Sequence, residues 1–130
     1  MFDWKKPTVQ MLGRWQPWHD GHTELFKRAL KKTGQVCIMF RDVDGVDAGI
    51  EGQADNPFGF EEVKKKIKEG LKKHGFEENK EFVVVKAPNI VDISYGRGVG
   101  YTFTEHDLGE EIHKISATKI RKEMRSKKEL

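Results

Sequence analysis

Apolar positions change their period along this chain, and the changes alternate between two kinds. Thr8–Leu12 is a short apolar-leaning run that stops at Gly13, as a strand feeding a turn does. His22–Lys32 then sets Leu25, Phe26, Ala29 and Leu30 on one helical face, and Gly34 follows as a stop signal. Gln35–Phe40 is a continuous apolar run, the pattern of a strand buried on both faces of a parallel sheet. Arg41–Gly59 is rich in Gly and Asp with almost no period. A loop of that length in a compact domain is expected to be functional or mobile. Asn56-Pro57 offers a helix entry, after which Phe60, Val63, Ile67 and Leu71 recur at helical spacing until Gly75. Phe82–Val85 predicts a strand, Ile90–Tyr95 another, and Tyr101–Thr104 a short further one beyond Gly96-Arg97-Gly98-Val99-Gly100. Ile115 opens a last helix, and no internal repeat interrupts the series.

The order β-α-β-loop-α-β-β-(β)-α predicts an α/β fold. It is a Rossmann-like three-layer α/β/α arrangement, with a mainly parallel sheet of about five strands and right-handed crossovers. Residues 1–130 make a single domain by length. In such sheets ligands sit beyond the carboxyl ends of the strands, where the strand order reverses. The first predicted strand ends beside two histidines.

Composition narrows the partners. Apolar residues are 36% and charged residues 35% of the chain, which predicts a lean core and a heavily solvated surface. No stretch approaches the roughly 18 apolar residues that a membrane span needs. Met1–Pro7 lacks the apolar core of a secretory signal. Cys37 is the lone cysteine, lies within an apolar run, and is expected to be a buried core thiol. A cytoplasmic compartment is the corresponding expectation. The net charge of +3 is too small to declare a nucleic-acid binder, and nucleic acid is not an expected partner. Positive charge does crowd the C-terminus, at Lys119, Arg121, Lys122, Arg125, Lys127 and Lys128. That run reads either as the solvated face of a terminal helix or as an anion site at its first turn.

Two short segments carry candidate chemistry. In His19-Asp20-Gly21-His22, Gly21 lets another group approach the backbone, and the segment opens a helix whose free N–H groups favour anions. Two imidazoles there can donate to phosphate oxygens, most usefully where negative charge grows on a pentacoordinate phosphorus. The same residues also fit a plain helix start. A zinc site is not expected, because no Cys or His partner lies nearby and His74, His106 and His113 are scattered. The second segment is Ile115-Ser116-Ala117-Thr118-Lys119-Ile120-Arg121. Hydroxyls at a helix entry, with a guanidinium one turn in, can cradle phosphates or simply cap the helix. Asp42, Asp44 and Asp47 read as solvated loop acids. Arg97 on its glycine-rich turn is either an exposed loop residue or an anion contact.

Together, Gly13–His22 and Ile115–Arg121 resemble the HxGH nucleotidylyltransferase superfamily, the cytidylyltransferase-like enzymes. Gly13-Arg14-Trp15-Gln16-Pro17 and Asn56-Pro57-Phe58 are similar to segments of the nicotinamide-mononucleotide-type adenylyltransferases. The chain is nearer in length to glycerol-3-phosphate cytidylyltransferases, which lack the Arg-x-Gln-Pro pattern. The resemblance implies an enzyme that moves a nucleoside monophosphate, AMP from ATP, to a small phosphate-bearing acceptor and releases pyrophosphate. Its alternatives are a cytidylyltransferase using CTP and a small alcohol phosphate, or a non-catalytic nucleotide- or RNA-binding module. By resemblance, His19 and His22 stabilise the transition state, and Lys119 and Arg121 join them as catalytic cations. Gly13, Arg14, Trp15, Gln16 and Gly21 line the nucleotide pocket, and Ser116, Thr118 and Arg121 hold the pyrophosphate. Arg97 lies in a segment that departs from the family pattern and is a candidate contact for the acceptor's phosphate or the nucleotide. Magnesium accompanies the triphosphate with no protein metal ligand implied. A homo-oligomer is left open.

Overall fold

A computed structural model describes residues 1–42, 58–97 and 100–106. Within them the order is β1 (Val9–Gly13), α1 (Asp20–Thr33), β2 (Val36–Arg41), α2 (Phe60–Lys72) and β3 (Phe82–Ala87). The chain is therefore α/β, with a three-stranded parallel sheet in the order β1-β2-β3. The strands form where apolar runs can pair on both edges and faces, as their near-continuous hydrophobicity predicts. Val9 pairs with Val36 and Gly13 with Phe40; Val36 pairs with Phe82 and Arg41 with Ala87.

Both connections step in the same direction across the sheet, so right-handed crossovers place both helices on one face. The contact between α1 and α2 agrees with that placement. On this face Met11, Ile38, Phe40, Phe82 and Val84 meet Phe26 and Ala29 of α1 and Val63, Ile67 and Leu71 of α2. Phe26, Phe40, Val63, Ile67, Leu71 and Phe82 are completely buried, so this interlayer is the core. α1 stops where Gly34 adopts φ 85° and its N–H donates to the Leu30 carbonyl at 2.7 Å, the left-handed cap a glycine supplies most cheaply.

The opposite face carries half-buried Leu12, Cys37, Met39, Arg41 and Val85 beside the buried Val83 and Ala87. Cys37 belongs to this face and not to the core, because strand alternation turns it away from Val36 and Ile38. Its partial burial pushes the thiol pKa up.

Two expected strands are absent among the described residues. Ile90–Tyr95 and Tyr101–Thr104 are irregular, with Val91, Ile93, Tyr95, Tyr101 and Phe103 all exposed. Their alternation is real, but no ladder pairs them, and Tyr95 stacks on Phe103 instead, with ring centroids 5.5 Å apart. A strand needs a neighbour's hydrogen bonds as well as its own period. The described sheet thus has three strands and one helical layer. The Asn56-Pro57 entry and the helix from Ile115 lie outside the described residues, and α2 begins after Gly59. No helix among the described residues is long and apolar enough to cross a membrane.

Candidate functional site

The carboxyl end of β1 leads straight into a turn built from indole and amide side chains. A Cβ on Gly13 would lie 2.8 Å from the Trp15 ring, so only glycine lets that indole fold back over the strand end. Trp15 has φ 52°, in the left-handed region that bulky residues rarely occupy. Its indole N–H donates to the Met39 carbonyl at 3.1 Å, which ties the strained turn to β2. Gln16 is 2% exposed and its amide clamps a single residue of the segment before α2. Oε1 accepts from the Phe58 N–H at 2.9 Å while Nε2 donates to the Phe58 carbonyl at 2.9 Å and the Arg14 carbonyl at 3.2 Å. Trp15 and Gln16, expected in the nucleotide pocket, therefore direct their polar atoms at the fold.

Trp18 completes the wall. Its indole N–H donates to the buried Thr23 hydroxyl at 2.8 Å, and its ring lies so close to Gly70 that a Cβ there would come within 2.9 Å. Gly70 sits inside α2, where glycine costs about 1 kcal/mol relative to alanine. The indole's space explains it. Trp18, Thr23 and Gly70 were not singled out from sequence, although a glycine inside a helical period is a signal for close packing.

The two histidines sit against this wall. His19 is the N-cap of α1 and His22 lies three residues on. The Gly21 N–H donates to His19 Nδ1 at 3.0 Å, and the His19 N–H donates to His22 Nδ1 at 3.1 Å. This is a reciprocal cap of the type usually made by Ser or Thr with Glu. The rings stack with centroids 3.7 Å apart, and His22 is edge-on to Trp15 at 4.8 Å. Because both Nδ1 atoms accept from backbone amides, each neutral ring must carry its proton on Nε2. Capping thus fixes the tautomer, so the helix-start role and an anion-donor role belong to different nitrogens of the same rings.

Both rings are held neutral. Burial, followed by the neighbouring His19, pushes the His22 pKa down to about 3. Burial lowers that of His19 as well, against the opposing pull of Asp20. At neutral pH the site therefore presents Nε2–H donors without placing a cation there. The positive end of the α1 dipole adds its field at the same place.

Other expected residues are distributed unevenly. Gly21 is buried, with its N–H committed to His19. Arg14 is half-buried one residue past β1. Arg97 is exposed on a bend and makes no hydrogen bond or ion pair among the described residues. Asp42 follows β2 and pairs with Lys86 at 3.4 Å. Asp44, Asp47, Ser116, Thr118, Lys119 and Arg121 lie outside the described residues. Among the described residues no group of three or more His, Cys, Asp or Glu side chains converges as a metal cage.

No family model, curated protein or solved structure matches the chain. The functional reading accordingly rests on the residues themselves.

Proposed function

We propose that the chain transfers a nucleotidyl group, AMP from ATP, to a small phosphate-bearing acceptor. An acceptor phosphate oxygen forms the new bond to the α-phosphorus. The bond from that phosphorus to the bridging oxygen breaks, and pyrophosphate leaves with the electron pair. The observation that carries this reading is the capped histidine pair. Two neutral imidazoles with Nε2–H donors sit at a helix N-terminus beside the carboxyl end of a parallel strand. Negative charge grows on the non-bridging oxygens in the pentacoordinate transition state. Donors already oriented stabilise it without reorganising.

Gly13, Arg14 and Gly21 belong to the nucleotide side of this proposal. Ser116, Thr118, Lys119 and Arg121 are proposed for the pyrophosphate by their resemblance to the superfamily's late signature. Magnesium is proposed to enter with the triphosphate, whose charge it would neutralise. The finer fold belongs here too. The half-buried second face at Leu12, Cys37, Met39 and Val85 is the surface that a further layer would cover in a three-layer α/β/α domain. A reversal of strand order would require a strand on the free edge of β1. The cytoplasm is the proposed compartment.

The test is pyrophosphate release from each of the four nucleoside triphosphates with pooled phosphorylated acceptors. His22→Ala should lower turnover by about 10²–10³-fold, the loss typical of one transition-state donor. Near-normal turnover in a folded variant would remove the assigned role. Release with CTP alone would move the reading to a cytidylyltransferase.

A further inference from the structure

At the carboxyl edge of the sheet β2 ends in Arg41, Lys86 is the last residue but one of β3, and Arg14 follows β1. Gly13, Phe40 and Lys86 share one rung, and Arg41 and Ala87 share the next. Arg14 directly follows Gly13, where β1 gives way to the Trp15 turn. The only carboxylate among residues 13–14, 40–42 and 86–87 is Asp42, which is engaged with Lys86.

Arg41 is the least satisfied of these groups. It is half-buried, its Nε is sealed from solvent without an acceptor, and one terminal nitrogen donates to the Ile90 carbonyl at a long 3.4 Å. It makes no ion pair among the described residues. Two residues before it on β2, the Met39 carbonyl anchors Trp15, the indole that packs against His22. Two residues of strand span roughly 6.6 Å, so the Arg41 backbone closes the same carboxyl rim as the Trp15 turn, while its side chain lies on the face opposite α1 and α2. A rigid planar fork at the ligand end of a parallel sheet suits a tetrahedral oxyanion.

We propose that Arg41 binds a phosphate group at the carboxyl rim of the sheet, an anion contact separate from the histidine pair. The inference deepens the nucleotidyl-transfer reading and rests on it for the identity of the ligand, which is the acceptor's phosphate or the triphosphate. Phosphate binding itself does not depend on that reading.

Calorimetric titration of the full chain with inorganic phosphate, pyrophosphate and ATP tests it. Arg41→Gln should weaken binding of at least one probe by about tenfold to a hundredfold, the range for losing a charge-assisted contact. Arg41→Lys, which keeps the charge without the fork, should lose less. Lys31→Gln, an exposed cation in the last turn of α1, should change none of the affinities. A loss confined to inorganic phosphate assigns the contact to the acceptor; a loss on ATP and pyrophosphate assigns it to the triphosphate. Equal affinities in wild type and folded Arg41→Gln for all three probes would overturn the proposal. If Arg41→Gln loses its far-UV circular dichroism, Arg41→Lys decides: affinities equal to wild type for every probe overturn the site. Phosphate binding through Arg41 without pyrophosphate release from any triphosphate would defeat the transfer reading and leave the site standing. Pyrophosphate release unaltered in rate and KM by Arg41→Gln would do the reverse.

Discussion

Acid should destabilise this protein earlier than its carboxylates require, and His22 is the reason. In the unfolded chain an imidazole titrates near its ordinary value of 6.5, whereas burial holds His22 at about 3 in the native structure. Between those values the unfolded state binds the extra proton, so stability falls as pH falls. The His22 contribution is fully retained above pH 6.5 and is lost progressively down to about pH 3. The slope is about 1.4 kcal/mol per pH unit, so moving from pH 7 to pH 5 costs about 2 kcal/mol through this ring alone. His19 shifts in the same direction and adds to the loss. Urea unfolding of wild type and His22→Gln at both pH values isolates the effect, because carboxylates titrate alike in the two proteins. The stability of wild type relative to His22→Gln should drop by about 2 kcal/mol on going to pH 5. An unchanged difference would refute the reasoning. It would mean that the native ring accepts a proton as readily as the unfolded one, and that the site holds a cation in mild acid.

Two substitutions test the wall behind the histidines. Gly70→Ala normally stabilises a helix interior by about 1 kcal/mol, but a Cβ here would meet Trp18 at 2.9 Å. Thermal unfolding should show the opposite sign, destabilisation of about 1–3 kcal/mol from overpacking. Gln16→Leu keeps the side-chain volume close but removes the amide and strands the Phe58 N–H and carbonyl. It should cost about 2–4 kcal/mol in urea unfolding, whereas a loss below 0.5 kcal/mol, roughly the noise of a neutral surface change, would show that the clamp is dispensable.

The sequence made the first five elements legible because each satisfies its own local rule. An amphipathic stripe from Leu25 to Leu30, a continuous apolar run ending at Phe40, and a helical period from Phe60 to Leu71 need no information from elsewhere. The bounds of β1, α1, β2 and β3 fall within a residue or two of those expected, whereas α2 starts at Phe60, later than the expected Asn56-Pro57 entry. Ile90–Tyr95 and Tyr101–Thr104 obey the same local rule and still form no ladder, because strand formation depends on a partner that local alternation does not report.

The histidine pair was legible as a candidate site and as a helix start from its place after β1, but the commitment of its Nδ1 atoms to the cap was not. That commitment depends on which amides reach Nδ1, a matter of cap geometry. Trp15 and Gln16 read as pocket residues because they border the motif. Their partners, Met39 and Phe58, lie 24 and 42 residues away and become neighbours only in the folded chain. The Trp18–Gly70 contact is likewise long-range, and only the glycine inside α2 hinted at it.

The central claim is that His19 and His22 meet a phosphate as neutral, Nε2-protonated donors. Long-range ¹⁵N–¹H NMR of the labelled full chain at pH 7, before and after adding ATP, reads both halves of that claim. It should show unprotonated Nδ1 and protonated Nε2 on both rings, with the Nε2 signals moving as ATP is added. Nδ1-protonated rings, imidazolium cations, or Nε2 signals that ignore saturating ATP would contradict it.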